Sequence, residues 1–328
     1  METRILQPTN ENFDTCARLI QAGEVVAFPT ETVYGLGANA LDSSAVKKIY
    51  EAKGRPSDNP LIVHVADFEM IEKLAYVNDM AKIVMQNFMP GSVTMVLPKK
   101  DIVPYCVSGG LETVGIRMPD NEIALRLIKQ SGAPICAPSA NTSTKPSPTS
   151  ASHVYYDLNG KIHAVLDGGE CSVGVESTVI DLTGSMPRLL RAGGMPVEEL
   201  EKKLGKIEIE KNTGVALCPG MKYKHYSPSA RVVLVPPCAD MSEKIKSAYD
   251  NEKNAVIFAL SQNVGTYGER MVMNVGKNAQ EYAHKLFGYL RKADELGYLV
   301  IFAEGVSDEG FGLSVMNRLS KACAGNIL

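Results

Sequence analysis

The chain has 328 residues, 45% of them hydrophobic and 22% charged, an ordinary globular balance with enough length for two domains. Its net charge of -3 offers no global basic field for nucleic acid. Seven scattered cysteines, an odd count with no Cys-x-x-Cys, argue against a disulfide framework or a zinc knuckle and suit a reducing compartment. No basic-then-apolar leader pattern opens the sequence and no apolar run approaches membrane-spanning length. A soluble cytoplasmic protein without membrane association is expected.

Gly23 to Gly37 begins as a buried strand, Val25 to Phe28, and passes into a polar loop with glycines. Thr30, Glu31 and Thr32 follow the strand directly, where α/β folds place ligand contacts, although Thr30 and Thr32 can equally be turn formers. Gly35-x-Gly37 lacks the third glycine of a dinucleotide fingerprint. Asp42 or Ser43 can cap a helix through Ala52, with Val46, Ile49 and Tyr50 on one face.

Lys53 to Val65, Lys-Gly-Arg-Pro-Ser-Asp-Asn-Pro-Leu-Ile-Val-His-Val, is the stretch around which the chain is organised. Gly54 lets the backbone turn between Lys53 and Arg55, and Pro56 and Pro60 stiffen the loop. Leu61 to Val65 then reads as a buried strand carrying His64. Two cations on a stiff loop suit an anion such as a nucleotide phosphate; a solvated helix end followed by a turn is the plainer alternative.

Phe68–Leu74 and Met80–Phe88 read as helices, and Ser92 to Leu97 as a strand. Thr113 to Pro119 is a further strand that carries Arg117. An arginine in an apolar strand needs an anionic partner, either a structural carboxylate or a substrate carboxylate. Glu122 to Lys129 is a helix. Pro134 to Ser143 breaks from a strand into the polar loop Ser139-Ala140-Asn141, which offers donors to oxygen-rich ligands or serves as a plain connector.

Ala164–Leu166, Ser177–Asp181 and Arg188–Arg191 are short strands, and Val197–Leu204 is an amphipathic helix that closes a first domain, residues 1–205. Residues 206–229 lack a sustained period and end in His225-Tyr226-Ser227-Pro228. They are expected to be an interdomain linker that folds over the cleft as a lid. From residue 230 to 328, strands at Val232–Val235, Ala255–Leu260, Met271–Val275 and Leu299–Ala303 alternate with helices, the pattern of a small parallel-sheet α/β domain. No P-loop, His-Glu-x-x-His or Gly-x-Ser-x-Gly occurs, so P-loop NTPases, metalloproteases and serine hydrolases fall.

Five spaced motifs carry a resemblance: Thr30-Glu-Thr-Val-Tyr-Gly-Leu-Gly37, Lys53-x-Arg55 with Pro56-x-x-Asn59-Pro60-Leu61, Gly115-Ile-Arg-Met-Pro119, Ser139-x-Asn141 and Glu176-Ser-Thr178. Together they resemble the YrdC-type L-threonylcarbamoyladenylate synthases, in the longer two-domain branch. The resemblance implies a YrdC-like twisted open sheet with flanking helices and a smaller C-terminal Rossmann-like α/β domain. It implies a nucleotidyltransferase that joins L-threonine, bicarbonate and ATP, releasing pyrophosphate. A separate transferase complex would then move the threonylcarbamoyl group to the adenosine beside the anticodon of tRNA, which this chain would meet only indirectly or weakly. By that resemblance Lys53, Arg55, Asn59, Thr113, Ala137, Ser139, Asn141, Ser147, Arg191 and Tyr226 would face ATP, with Lys53 and Arg55 catalytic. Thr32, His64, Arg117 and Ser177 would face L-threonine. Mg2+ would accompany ATP, with no dedicated metal site in the protein. Arg191-Ala192-Gly193 departs from the family's usual proline after the arginine. A double-stranded RNA module is disfavoured by the net charge, and a hydrogenase-maturation carbamoyltransferase by the missing Cys-x-x-Cys pairs. A non-catalytic nucleotide sensor is the third alternative, which threonine-dependent pyrophosphate release would exclude.

Overall fold

The computed structural model describes residues 2–54, 59–209 and 226–328. In the first part of the chain the strands are β1 (Arg4–Leu6), β2 (Val26–Phe28), β3 (Gly35–Asn39), β4 (Ile62–His64), β5 (Val93–Pro98), β6 (Thr113–Arg117), β7 (Ile135–Ala137), β8 (Ala164–Leu166), β9 (Thr178–Asp181), β10 (Arg188–Arg191) and β11 (Glu208–Ile209). They form one mixed sheet in the order β1-β8-β2-β3-β7-β4-β6-β5-β9-β10-β11. β4 and β6 run parallel, with His64 opposite Arg117, while β7 runs antiparallel to β4. The central strands are buried along their whole length, which explains their continuous rather than alternating apolar pattern.

Helices Asn10–Gln21 and Glu122–Ser131 cover one region of this sheet, and Phe13, Ile20, Phe28, Leu127, Ile128 and Ile135 share its core. Side-chain caps start the helices: Thr9 accepts from Asn12 N–H, and Asp42 accepts from Ser44 and Ala45 N–H at the head of Ser43–Lys53. Each such cap stabilises by about 1 kcal/mol.

The C-terminal strands are β12 (Arg231–Val235), β13 (Ala255–Leu260), β14 (Val272–Gly276) and β15 (Val300–Glu304). They form an all-parallel sheet in the order β12-β15-β13-β14, with Val233, Ile257 and Phe302 in its core. Helices Met241–Tyr249, Ala279–Glu295 and Phe311–Ala322 connect and cover it. By contacts the chain separates into two units. The first has the large sheet; the second has the parallel sheet, together with Thr144–Pro146 and Val173–Val175. The chain is thus an α/β protein with a large mixed sheet and a second, parallel-sheet domain.

Several elements differ from the sequence expectation; among them, strand β1 and helices Tyr105–Ser108 and Ala151–Leu158 were not foreseen. Gly35–Asn39, expected as loop, is a central strand between β2 and β7. Its glycines are required by close packing: a Cβ on Gly37 would stand 2.6 Å from Ile135 Cγ2 and 2.7 Å from Phe28 Cε1. Helix Asn10–Gln21 was not foreseen from the sequence. Glu208–Ile209, inside the stretch expected as linker, pairs in parallel with β10. The rest of that stretch up to His225 lies outside the described residues.

Candidate active site

The loop after β2 is shaped by its own hydroxyls. Thr30 Oγ1 donates to Val33 O at 2.6 Å and accepts from the backbone N–H groups of Thr32 and Val33, each at 3.2 Å; it also lies 2.8 Å from Thr32 Oγ1. This turn holds Glu31 and Thr32 against Arg117, at the end of β6. Arg117 Nη1 donates to Thr32 Oγ1 at 2.8 Å and Nε to Gly91 O at 3.1 Å. Its Nη2 lies 2.6 Å from Glu31 Oε1, which also accepts from Ser92 Oγ at 3.1 Å. Arg117 and Glu31 are both buried. The anionic partner that Arg117 requires is therefore a carboxylate of the chain itself. A buried ion pair of this kind is strongly destabilised when one member is removed.

His64 sits beside Arg117 in the parallel pair and meets the Phe28 ring in a T-shaped contact, with centroids 5.8 Å apart. Its Nδ1 has no hydrogen-bond partner among the described residues. Burial, and then the Arg117 charge, lower its pKa from an ordinary 6.5 to about 3. At neutral pH it is an uncharged imidazole, able to accept or donate one hydrogen bond. Burial also raises the pKa of the Cys171 thiol, and the nearby Glu31 charge adds to this, so Cys171 is a protonated thiol.

A second cluster forms where helix Ser43–Lys53 ends. Lys53 Nζ donates to Ser139 O at 2.5 Å and Asn141 O at 2.6 Å, and Ser139 Oγ donates to Asn141 Oδ1 at 2.5 Å. The lysine thus fixes the Ser139–Asn141 loop through its backbone carbonyls. Backbone bonds tie that loop to the first: Ala140 N–H donates to Tyr34 O, Leu36 N–H to Pro138 O and Tyr34 N–H to Pro148 O. Ala137 ends β7 opposite Ile62, and Asn59 is buried, its carbonyl accepting from Tyr50 Oη at 3.2 Å.

The third cluster joins Ser177 and Arg191. Arg191 donates from Nε and Nη2 to Ser177 O, at 3.1 and 2.9 Å, and Ser177 Oγ lies 2.7 Å from Thr94 Oγ1. Ser147 Oγ donates to Glu176 Oε1 at 2.5 Å. Gly193 has no room for a side chain, since a Cβ there would stand 2.3 Å from Glu176 O.

The chain therefore brings Thr32, His64 and Arg117 together, Lys53 with Ser139 and Asn141, and Arg191 with Ser177. Thr113 opens β6, at the opposite end from Arg117. Tyr226 belongs to the second unit, where its ring packs tilted against Phe287, with centroids 5.1 Å apart, and Arg318 lies over it at 5.5 Å. Arg55 lies outside the described residues. Ser92 and Thr94 were not singled out from sequence as site residues, and Glu31 was placed among the ligand-contact positions after β2 without a role of its own. Glu31 had a signal: an acidic residue flanked by threonines directly after a buried strand.

A family model described as telomere recombination, Sua5/YciO/YrdC, matches residues 18–193, and one described as the threonylcarbamoyl-AMP synthase C-terminal domain matches 195–324. A threonylcarbamoyl-AMP synthase of Pyrococcus abyssi is 51% identical over 321 residues, covering 95% of this chain and 94% of its own length. One from Bacillus subtilis is 46% identical, covering 95% and 93%. A crystal structure of P. abyssi Sua5 complexed with L-threonine matches with a TM-score of 0.93 at 48% identity, covering 100% of this chain and 99% of that one. The class so defined is a two-domain α/β enzyme of the nucleotidyltransferase type. The chain belongs to the Sua5/YciO/YrdC family, in its long threonylcarbamoyl-AMP synthase form.

Proposed function

We propose that the enzyme joins L-threonine, bicarbonate and ATP into L-threonylcarbamoyl-AMP, releasing pyrophosphate and water. The observation that carries this reading is the setting of Arg117: a buried guanidinium, steadied by Thr32 and Gly91 O, in a chain that closely matches a threonine-bound relative. A guanidinium held this way offers a fork to the α-carboxylate. Thr32, His64 and Ser177 supply hydroxyl and imidazole groups for the rest of the amino acid.

ATP would meet Lys53, Arg55, Asn59, Thr113, Ala137, Ser139, Asn141, Ser147 and Arg191. Lys53 and Arg55 would offset negative charge on the phosphates as pyrophosphate leaves, so positioning and electrostatics would carry the rate. A magnesium ion accompanying ATP would be carried on the triphosphate oxygens and water, where it would neutralise phosphate charge. The product would feed a separate transferase acting on tRNA adenosine beside the anticodon, in the cytoplasm.

The test is mass spectrometry of the protein incubated with ATP, bicarbonate and L-threonine. The mixed carbamate–AMP anhydride is the expected product, absent when threonine is omitted. Pyrophosphate release that is indifferent to threonine would overturn the assignment.

A further inference from the structure

Glu31 has no role in the reading above, yet its carboxylate is 6% exposed and incompletely satisfied. Oε1 takes Ser92 Oγ and the near approach of Arg117 Nη2. Oε2 is buried and has no hydrogen-bond partner among the described residues. Arg117 Nη2, despite its short separation from Glu31, has no N–H aligned on an acceptor there either. One buried acceptor oxygen and one buried donor nitrogen of this ion pair thus keep unused hydrogen-bonding capacity among the described residues.

Buried polar groups are normally matched, so an open pair marks where a ligand fits. An anion alone would fill the arginine and crowd a second negative charge against Glu31. A cation alone would do the reverse. A zwitterion matches both ends and adds no net charge to a neutral pair. Neither Cys171, a buried protonated thiol, nor His64, an uncharged imidazole, provides a competing cation.

We propose that Glu31 Oε2 accepts the α-ammonium group of L-threonine while Arg117 Nη2 donates to its α-carboxylate. Glu31 is then the specificity-determining residue for α-amino acids over the corresponding deaminated acids. The inference rests on the assignment of L-threonine as substrate.

The experiment is calorimetry of the full chain with L-threonine and with 3-hydroxybutyrate, in which hydrogen replaces the ammonium. Wild type should prefer threonine by at least about a hundredfold, the discrimination open to a site whose buried acceptor would otherwise be left unpaired. Glu31→Gln should cut that preference at least about tenfold by weakening threonine alone, and Glu31→Asp should restore part of it. Equal weakening of both ligands, or an unchanged preference, would overturn the proposal and leave Glu31 as a support for Arg117. Wild type that binds neither ligand would instead overturn the substrate assignment. If Glu31→Gln does not fold, 15N NMR of labelled L-threonine on wild type decides. Its ammonium should titrate higher when bound than when free, whereas a group facing only Arg117 would titrate lower.

Discussion

Glu31 and Glu304 are both buried glutamates, one in each unit, and their surroundings differ sharply. Glu304 ends β15 with every approach filled: Oε1 accepts from Tyr267 Oη at 2.5 Å and Asn263 Nδ2 at 3.1 Å, and Oε2 from Leu260 N–H at 2.7 Å and again from Asn263. No oxygen is left for a visitor, and the carboxylate pins the 3-10 turn Ser261–Tyr267 to the sheet. Glu31 has a cation and the Ser92 hydroxyl at one oxygen and, among the described residues, no partner at the other. Burial and charge are common to both. What separates architecture from site is whether the lone pairs are already used.

The sharpest way to break that contrast is Arg117→Ala. Removing the cation strands Glu31 in the interior, so the first unit should lose about 3–5 kcal/mol in chemical denaturation. Whatever activity survives should need far more L-threonine but similar ATP, a split read in the two Michaelis constants. Equal effects on both substrates would contradict the carboxylate fork.

Glu304→Ala should destabilise the second unit by about 3 kcal/mol, because Tyr267, Asn263 and the Leu260 N–H lose their acceptor at once. Calorimetric melting checks this, and a loss within error would mean that the saturated network contributes little.

His64 refines the electrostatic side. Between about pH 6.5 and about 3 the unfolded chain binds a proton that folded His64 refuses, so stability rises with pH across that window and is lost as pH falls. The slope attributable to this residue is at most about 1.4 kcal/mol per pH unit. His64→Gln should flatten the acid limb of a stability–pH curve by that amount.

The smallest effect belongs to a third acid. Asp42 uses its carboxylate to cap a helix at the surface, so Asp42→Ala should cost about 1 kcal/mol in urea unfolding and leave both substrates' constants unchanged.

Much of the architecture was legible because local signals agreed. The short runs Ala164–Leu166 and Arg188–Arg191 are strands at the expected bounds, and Asp42 caps where expected. Gly35–Asn39 was not legible, since glycine carries no strand preference and the reason for it lies in Phe28 on the neighbouring strand and in Ile135, distant in the chain. The need for a partner at Arg117 could be read from its apolar strand, but which acid answers it is a tertiary fact. Motif spacing grouped Ser139 with Asn141; that Lys53 holds their carbonyls emerges only from the fold.

The bare strand β3 has one more consequence. Phe28 can pack close against Gly37 because no side chain projects there, and the same ring makes a T-shaped contact with His64. The position of an imidazole in the site is thus set by a missing methyl group two contacts away. Enlarging Gly37 would remove no donor or acceptor, yet it would push the ring and, through it, the histidine. In such a relay, a residue with no chemistry of its own governs the alignment of one that has it.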